Sequence, residues 1–152
     1  MMLSIESTSL ENTLDLAARI GARLKGGEVI ELISDLGGGK TVFVRGLAKG
    51  MGSKDQVASP TFTISREYKA GALQLHHFDF YRLDDPGVIK SELEELINDP
   101  RITVVIEWPE IIEGVLPKDR LRIEIEVTSD KSRLFHFAAG RKHRHLMPGN
   151  QQ

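Results

Sequence analysis

The densest chemistry in this sequence lies in Ser34-Asp35-Leu36-Gly37-Gly38-Gly39-Lys40-Thr41. A phosphate chain has to be met by several donors at once, and backbone N–H groups supply them only where side chains do not block the approach. Gly37, Gly38 and Gly39 satisfy that requirement, and the amino end of a following helix adds its partial positive charge. Lys40 then reaches the β- and γ-phosphates, and the Thr41 hydroxyl enters a magnesium shell, which prefers hard oxygen ligands. The pattern predicts a site for a magnesium-complexed nucleoside triphosphate, with ATP as the expected ligand. Ser34 stands where the full G-x-x-x-x-G-K-S/T pattern has its first glycine. A serine fits that turn if its backbone stays in an ordinary region. The competing reading is a plain glycine-rich turn between a strand and a helix.

Such a loop needs a carboxylate to steady magnesium or its water, usually from a neighbouring strand end. Asp79, in His77-Phe78-Asp79, and Glu107, after the most apolar stretch of the chain, are the candidates. Strand alternation puts His77 and Asp79 on one face. By position alone each acid is equally a surface or capping carboxylate. Ser59-Pro60-Thr61 sits where a loop sensitive to the γ-phosphate could lie, or is a simple turn. Trp108, the sole tryptophan, stacks on a base or a partner, or fills the core. His76 reads as structural or solvent-facing.

Positioning these groups requires a strand, then the glycine loop, then a helix. Residues 28–33 are short, rich in branched side chains and bounded by turn formers, as a buried strand requires. Phe43, Leu47, Ala48 and Met51 share one face of a helix from Lys40 to about Met51. Ahead of this unit, Ser9 is placed to cap a helix reaching about Lys25. Beyond it, residues 62–68 and 73–80 predict a hairpin around Gly71, and Asp84-Asp85-Pro86 opens a helix bearing Val88, Ile89, Leu93, Leu96 and Ile97. Residues 101–106 suit a central parallel strand, and 121–127 with 133–137 a last hairpin at the sheet edge. The expected fold is a three-layer α/β domain of the P-loop NTPase kind, a mixed, mainly parallel sheet flanked by helices, over residues 1–139. Residues 140–152, with the basic cluster Arg141-Lys142-His143-Arg144-His145, are expected to form a mobile tail.

With 40% hydrophobic and 28% charged residues, the composition is that of a globular domain, not a disordered chain. The formal net charge of -2 draws the chain neither to RNA nor to an acidic membrane, so contact with either must be local or made by a partner. The absence of cysteine excludes disulfides, thiolate metal sites and cysteine nucleophiles. No stretch resembles a signal peptide, and no apolar run approaches the roughly 18 residues of a membrane span. A cytoplasmic protein without membrane contact is expected.

Taken in order, SDLGGGKT with the following VFVRGLAKGMG, then SPTFT, HHFDFYRLDDP, IEWPE and VLP resemble the TsaE (YjeE) family from about Ser7 to Phe137. That family is the small ATPase of bacterial tRNA threonylcarbamoyladenosine synthesis, acting beside the TsaD and TsaB proteins. The resemblance implies ATP and magnesium as cofactors, with Lys40 and Thr41 as the phosphate and magnesium residues. It makes Asp79 the Walker-B-like aspartate, Glu107 the magnesium-site glutamate and Trp108 a functional tryptophan, and brings Glu110 and Arg133 toward the nucleotide by analogy. Ser34 and Val42 depart from the family stretch GDLGAGKTT. Val42 has no hydroxyl and offers only its backbone N–H, from which slow intrinsic hydrolysis is expected. The rival classes are a small-molecule kinase, for which the chain is short, and a nucleotide-responsive binding module in which hydrolysis is incidental.

Overall fold

The computed structural model describes residues 2–35, 37, 39–56, 65–81 and 87–149. Ser59, Pro60 and Thr61, the start of the expected hairpin at 62–64 and the helix opening at 84–86 lie outside the described residues, as do Leu36 and Gly38. The elements are β1 (Met2–Ser7), α1 (Leu10–Gly21), β2 (Val29–Ile33), α2 (Lys40–Gly50), β3 (Ser65–Ala70), β4 (Leu73–Asp79), α3 (Gly87–Ile97), β5 (Ile102–Glu107), β6 (Leu121–Val127) and β7 (Arg133–Ala139). Two 3-10 helices, Pro109–Val115 and Arg141–Leu146, complete the described chain.

One seven-stranded sheet runs in the order β1-β7-β6-β2-β5-β4-β3. The four strands β6, β2, β5 and β4 are mutually parallel at the centre, and the outer pairings β1–β7, β7–β6 and β4–β3 are antiparallel. Alternation along the central strands builds a core on each face. Ile30, Leu32, Val105, Leu121 and Ile123 pack with α1 and α2. Val29, Phe78, Val104 and Ile106 pack with Leu93 of α3 and Ile112 on the other face. The result is the three-layer α/β architecture expected of a P-loop NTPase-like chain.

Glycine sets how α1 and α2 meet. A Cβ on Gly21 would lie 2.2 Å from the Leu47 carbonyl oxygen, one on Gly46 2.5 Å from the Ala17 Cβ, and one on Gly50 2.0 Å from the Ala18 carbonyl oxygen. The two helices therefore touch backbone to backbone, which holds α2 firmly against its neighbour. Ser9 caps α1 as expected, its Oγ accepting from the Asn12 N–H at 3.0 Å.

Two features depart from the sequence expectation. The hairpin β6–β7 is not at the sheet edge, because β1 pairs antiparallel with β7 and takes the edge itself. MLSIES carries too little apolar periodicity to announce a strand, and the ladder to β7 makes it one. Residues 141–149, expected as a tail, pack onto the end of the sheet remote from the glycine loop, with His143, Leu146 and Met147 buried. His143 Nε2 accepts the Val29 N–H at 2.9 Å, which leaves Nδ1–H to donate to Asp119 at 2.9 Å. His145 donates to Glu28 at 3.0 Å.

Glu28 is the centre of this clasp. Burial pushes its carboxyl pKa up, but the Lys25 N–H, His145, the Thr103 hydroxyl and the Gly26 N–H outweigh that and hold it below the ordinary glutamate value. Replacing it leaves buried donors without an acceptor, so Glu28→Ala should cost about 2–4 kcal/mol in urea unfolding at neutral pH. Because folding lowers this pKa, the stabilisation is complete above the ordinary glutamate value and is lost as pH falls from there through the lowered folded-state value. A Glu28→Ala difference that does not shrink in acid would contradict this assignment. At the helix contact, Gly50→Ala must push α1 and α2 apart and should destabilise by about 1–3 kcal/mol, whereas an unchanged urea midpoint would mean the helices separate freely.

Candidate functional site

Parallel pairing in register brings three strand ends to one level. Leu32, one residue before the end of β2, pairs with Glu107 at the end of β5, and Glu107 pairs with Asp79 at the end of β4. The chain leaves β2 through the glycine loop and enters α2 at Lys40, so the loop stands directly over both carboxylates. Open α/β sheets bind ligands at this place, beyond the carboxyl ends of central strands.

The loop leaves its helix end open to an anion. Gly39 is the N-cap of α2 at φ 100°, a conformation that disfavours any side chain, and it provides no side-chain cap. No acid occupies the first turn of α2, so the N-terminal N–H groups and their partial positive charge face outward. Gly37 is also in the left-handed region, at φ 79°. Trp108 is the sole non-glycine residue with positive φ among the described residues. Ser34 therefore has the ordinary backbone that its replacement of glycine requires.

Lys40 is buried at the centre of the site. Its ammonium donates to the Ser34 carbonyl at 3.0 Å and reaches the Asp35 carbonyl at 3.4 Å. It lies 4.6 Å from the Trp108 ring centroid and 3.9 Å from Glu107 Oε1. Trp108 holds its place at φ 56° and packs its ring against Tyr81, centroids 5.0 Å apart. Burial pushes the Asp79 carboxyl pKa up and the neighbouring Glu107 adds to this, against the Tyr81 N–H, His77 and Lys40. Thr41 is half-buried on the first turn of α2.

Beside the loop lies a cavity of about 480 Å³ lined by Ser9, Thr13, Gly39, Val42, Arg133 and Phe135, among others. Arg133, at the start of β7, donates to the carbonyls of Ser129 and Ser132, each at 2.9 Å, and its Nε comes within 3.9 Å of where a Gly39 Cβ would stand. Lys40, Asp79, Glu107, Trp108, Arg133 and the loop glycines Gly37 and Gly39 are thus gathered at one end of the sheet. Glu110 is exposed on the 3-10 helix Pro109–Val115, and no contact among the described residues joins it to the loop. His76 is buried on the opposite face and donates to Gln74 at 3.0 Å, a structural role.

Sequence reasoning gave no role to His77, which is fully buried and donates from Nε2 to Glu107 Oε2 at 2.5 Å. Its place two residues before Asp79 on one strand face was the available signal. The lining of the cavity by the start of α1 and the loop before β7 had no signal, since those segments meet only across the sheet.

A glycine loop opening a helix above carboxylates at adjacent parallel strand ends defines a P-loop NTPase-like α/β protein. The sequence model of the family described as "Threonylcarbamoyl adenosine biosynthesis protein TsaE" matches residues 7–135. A Bacillus subtilis protein named tRNA threonylcarbamoyladenosine biosynthesis protein TsaE is 42% identical over 129 residues, covering 85% of this chain and 80% of that one. The protein of the same name from Nostoc is 43% identical over 112 residues, 72% of this chain and 69% of that one. The crystal structure of Bacillus subtilis YdiB superposes with a TM-score of 0.80 at 35% identity, covering 96% of this chain and 91% of that one. The chain belongs to the TsaE family.

Trp108 affords a direct test of backbone strain at the site. At φ 56° a glycine is unstrained and an alanine is not, so Trp108→Gly should unfold at higher urea than Trp108→Ala, by about 1 kcal/mol. The reverse order would show that residue 108 is not held in the left-handed region.

Proposed function

We propose that this chain is a magnesium-dependent ATPase serving threonylcarbamoylation of the adenosine next to the anticodon in tRNAs that read codons beginning with A. In this reading it works in the cytoplasm, drives turnover of an assembly of the TsaB and TsaD proteins, and meets tRNA through that assembly. The observation that carries the ATPase reading is Lys40, buried at the opening of α2 and facing Glu107 and Trp108 at the strand ends. Family membership supports the pathway.

On binding, Lys40 exchanges the Ser34 and Asp35 carbonyls for phosphate oxygens, so its hydrogen bonds are replaced in kind. The N–H groups around Gly37, Gly38 and Gly39 and that of Val42 receive the rest of the phosphate chain, and the cavity beside Arg133 takes the nucleoside. The Thr41 hydroxyl and the Asp79 and Glu107 carboxylates are hard oxygen donors of the kind magnesium selects. Among the described residues no three histidine or acidic side chains converge as a metal cage. Magnesium supplies neutralisation of phosphate charge. Glu107, with Oε1 directed toward Lys40, is the group that orients the attacking water, and Asp79 supports the same shell. Before ATP binds, Trp108 lies over the Lys40 ammonium.

Release of ADP by the pure chain should be slow, below about 1 per second, and should rise with TsaB, TsaD and substrate tRNA present. Glu107→Gln should abolish it while ATP still binds. Lys40→Ala, which removes a charge-assisted contact worth about 1.5–3 kcal/mol, should weaken ATP binding at least about tenfold. The emission of Trp108, the sole tryptophan, should change on titration with ATP as Lys40 leaves its ring. No ATP-dependent change in emission, together with no hydrolysis with or without the partners, would sink this reading.

A further inference from the structure

We propose that His77 is the positioning residue of the site, fixing Glu107 by clamping one carboxylate oxygen so that the other is presented to magnesium and water. The inference rests on the ATPase reading and gives a residue of the β4 strand a part in the reaction.

Glu107 is buried, and the side chain of a buried glutamate with few partners has several rotamers from which to choose. Lys40 does not select among them. At 3.9 Å from Oε1 the ammonium is beyond hydrogen-bond distance, and its shorter contacts are to the Ser34 and Asp35 carbonyls. Phosphate binding draws Lys40 further into the loop. The single short hydrogen bond to the Glu107 side chain among the described residues is the one from His77 Nε2 to Oε2, at 2.5 Å. It leaves Oε1 as the oxygen that faces the loop.

The ring is itself immobilised. His77 is fully buried on β4, its partner in register is Val105, and it shares a face with Leu75 and Asp79. A carboxylate only accepts, so Nε2 carries the proton. His77 Nδ1 then has no hydrogen-bond partner among the described residues, although it is buried. Buried polar atoms are ordinarily satisfied, and one that is not destabilises the fold. His143 of this same chain shows what a structural histidine looks like, with Nε2 bonded to the Val29 N–H and Nδ1 to Asp119. His77 instead makes one hydrogen bond among the described residues, to Glu107, whose other oxygen is turned toward Lys40. Groups that orient the residues around a metal in this way change metal affinity or activity about 10–100-fold when removed.

The test uses three substitutions on the full chain, assayed with TsaB, TsaD and tRNA. His77→Phe keeps the ring volume and removes the donor. His77→Asn keeps polarity but is too short to reach Glu107. His77→Gln carries an amide N–H as many bonds from the backbone as Nε2. Steady-state hydrolysis gives kcat, fluorescence titration gives the ATP Kd, and electron paramagnetic resonance of Mn2+ added to the ATP-loaded chain gives metal affinity apart from turnover. The expected result is a kcat at least about tenfold lower and a Mn2+ affinity at least about tenfold weaker in the Phe and Asn variants. ATP Kd should stay within about threefold of the parent, and His77→Gln should recover most of both losses. Should His77→Phe not fold, the Asn and Gln pair carries the comparison. Parent-like kcat and Mn2+ affinity in the Asn variant overturn the proposal, as does a Gln variant as impaired as Asn, or an equal loss of ATP binding in all. A parent chain that does not hydrolyse ATP, with or without the partners, sinks the ATPase reading and this inference together. A parent that hydrolyses and depends on Glu107, beside unaffected His77 variants, sinks the inference alone.

Discussion

The parallel register of β2, β5 and β4 is the constraint on which the rest of the structure depends. Leu32, Glu107 and Asp79 stand abreast because the three strands are locked by evenly spaced hydrogen bonds and by cores on both faces. A slip of one residue would turn each of these side chains to the opposite face of the sheet. The buried apolar residues at 29–32 and 102–106 make such a slip costly, since each alternate residue has its own helix to meet. The same packing that gives stability thereby sets the spacing of the carboxylates beneath the loop.

The site imposes local costs on this frame. Lys40, Glu107 and His77 are all buried at one place, and burial of charge is unfavourable unless partners are well placed. Carbonyls of the loop, the Trp108 face and the His77 hydrogen bond provide partial compensation. Trp108 in the left-handed region and His77 Nδ1, without a hydrogen-bond partner among the described residues, are further departures from an optimal fold. Both adjoin Glu107, which precedes Trp108 in the chain and accepts from His77, and strain of this kind is found at functional sites. At the opposite end of the sheet, Glu28, His143 and His145 form a clasp in which the hydrogen-bonding groups of Glu28 and His143 are matched. One end of the sheet has its buried polar groups matched, and the other gathers the less well satisfied ones.

Much of this was legible in the residues themselves. The strand, loop and helix around Gly37 to Thr41 follow from local rules, because glycine, branched and amphipathic patterns act over a few neighbours. The cap at Ser9 and the apolar strand ending at Glu107 were legible for the same reason. Asp79 and Glu107 were the two candidates, each by position alone equally a surface or capping acid, until register set them side by side. The β1 strand and the packed segment at 141–149 were hidden, because their order comes from partners far away in sequence, β7 for one and Glu28, Val29 and Asp119 for the other.

The sequence by itself determined a glycine loop between a strand and a helix, a lysine and a threonine in register behind it, and the layered α/β class. Those properties depend on residue type and short spacing. Tertiary structure alone decided which carboxylate faces Lys40, that His77 holds it, that Trp108 covers the ammonium, and that Arg133 and the start of α1 wall a cavity beside Gly39. These are distances between side chains brought together from separate elements. Such distances exist only once the sheet has fixed its register and the helices have closed on its two faces.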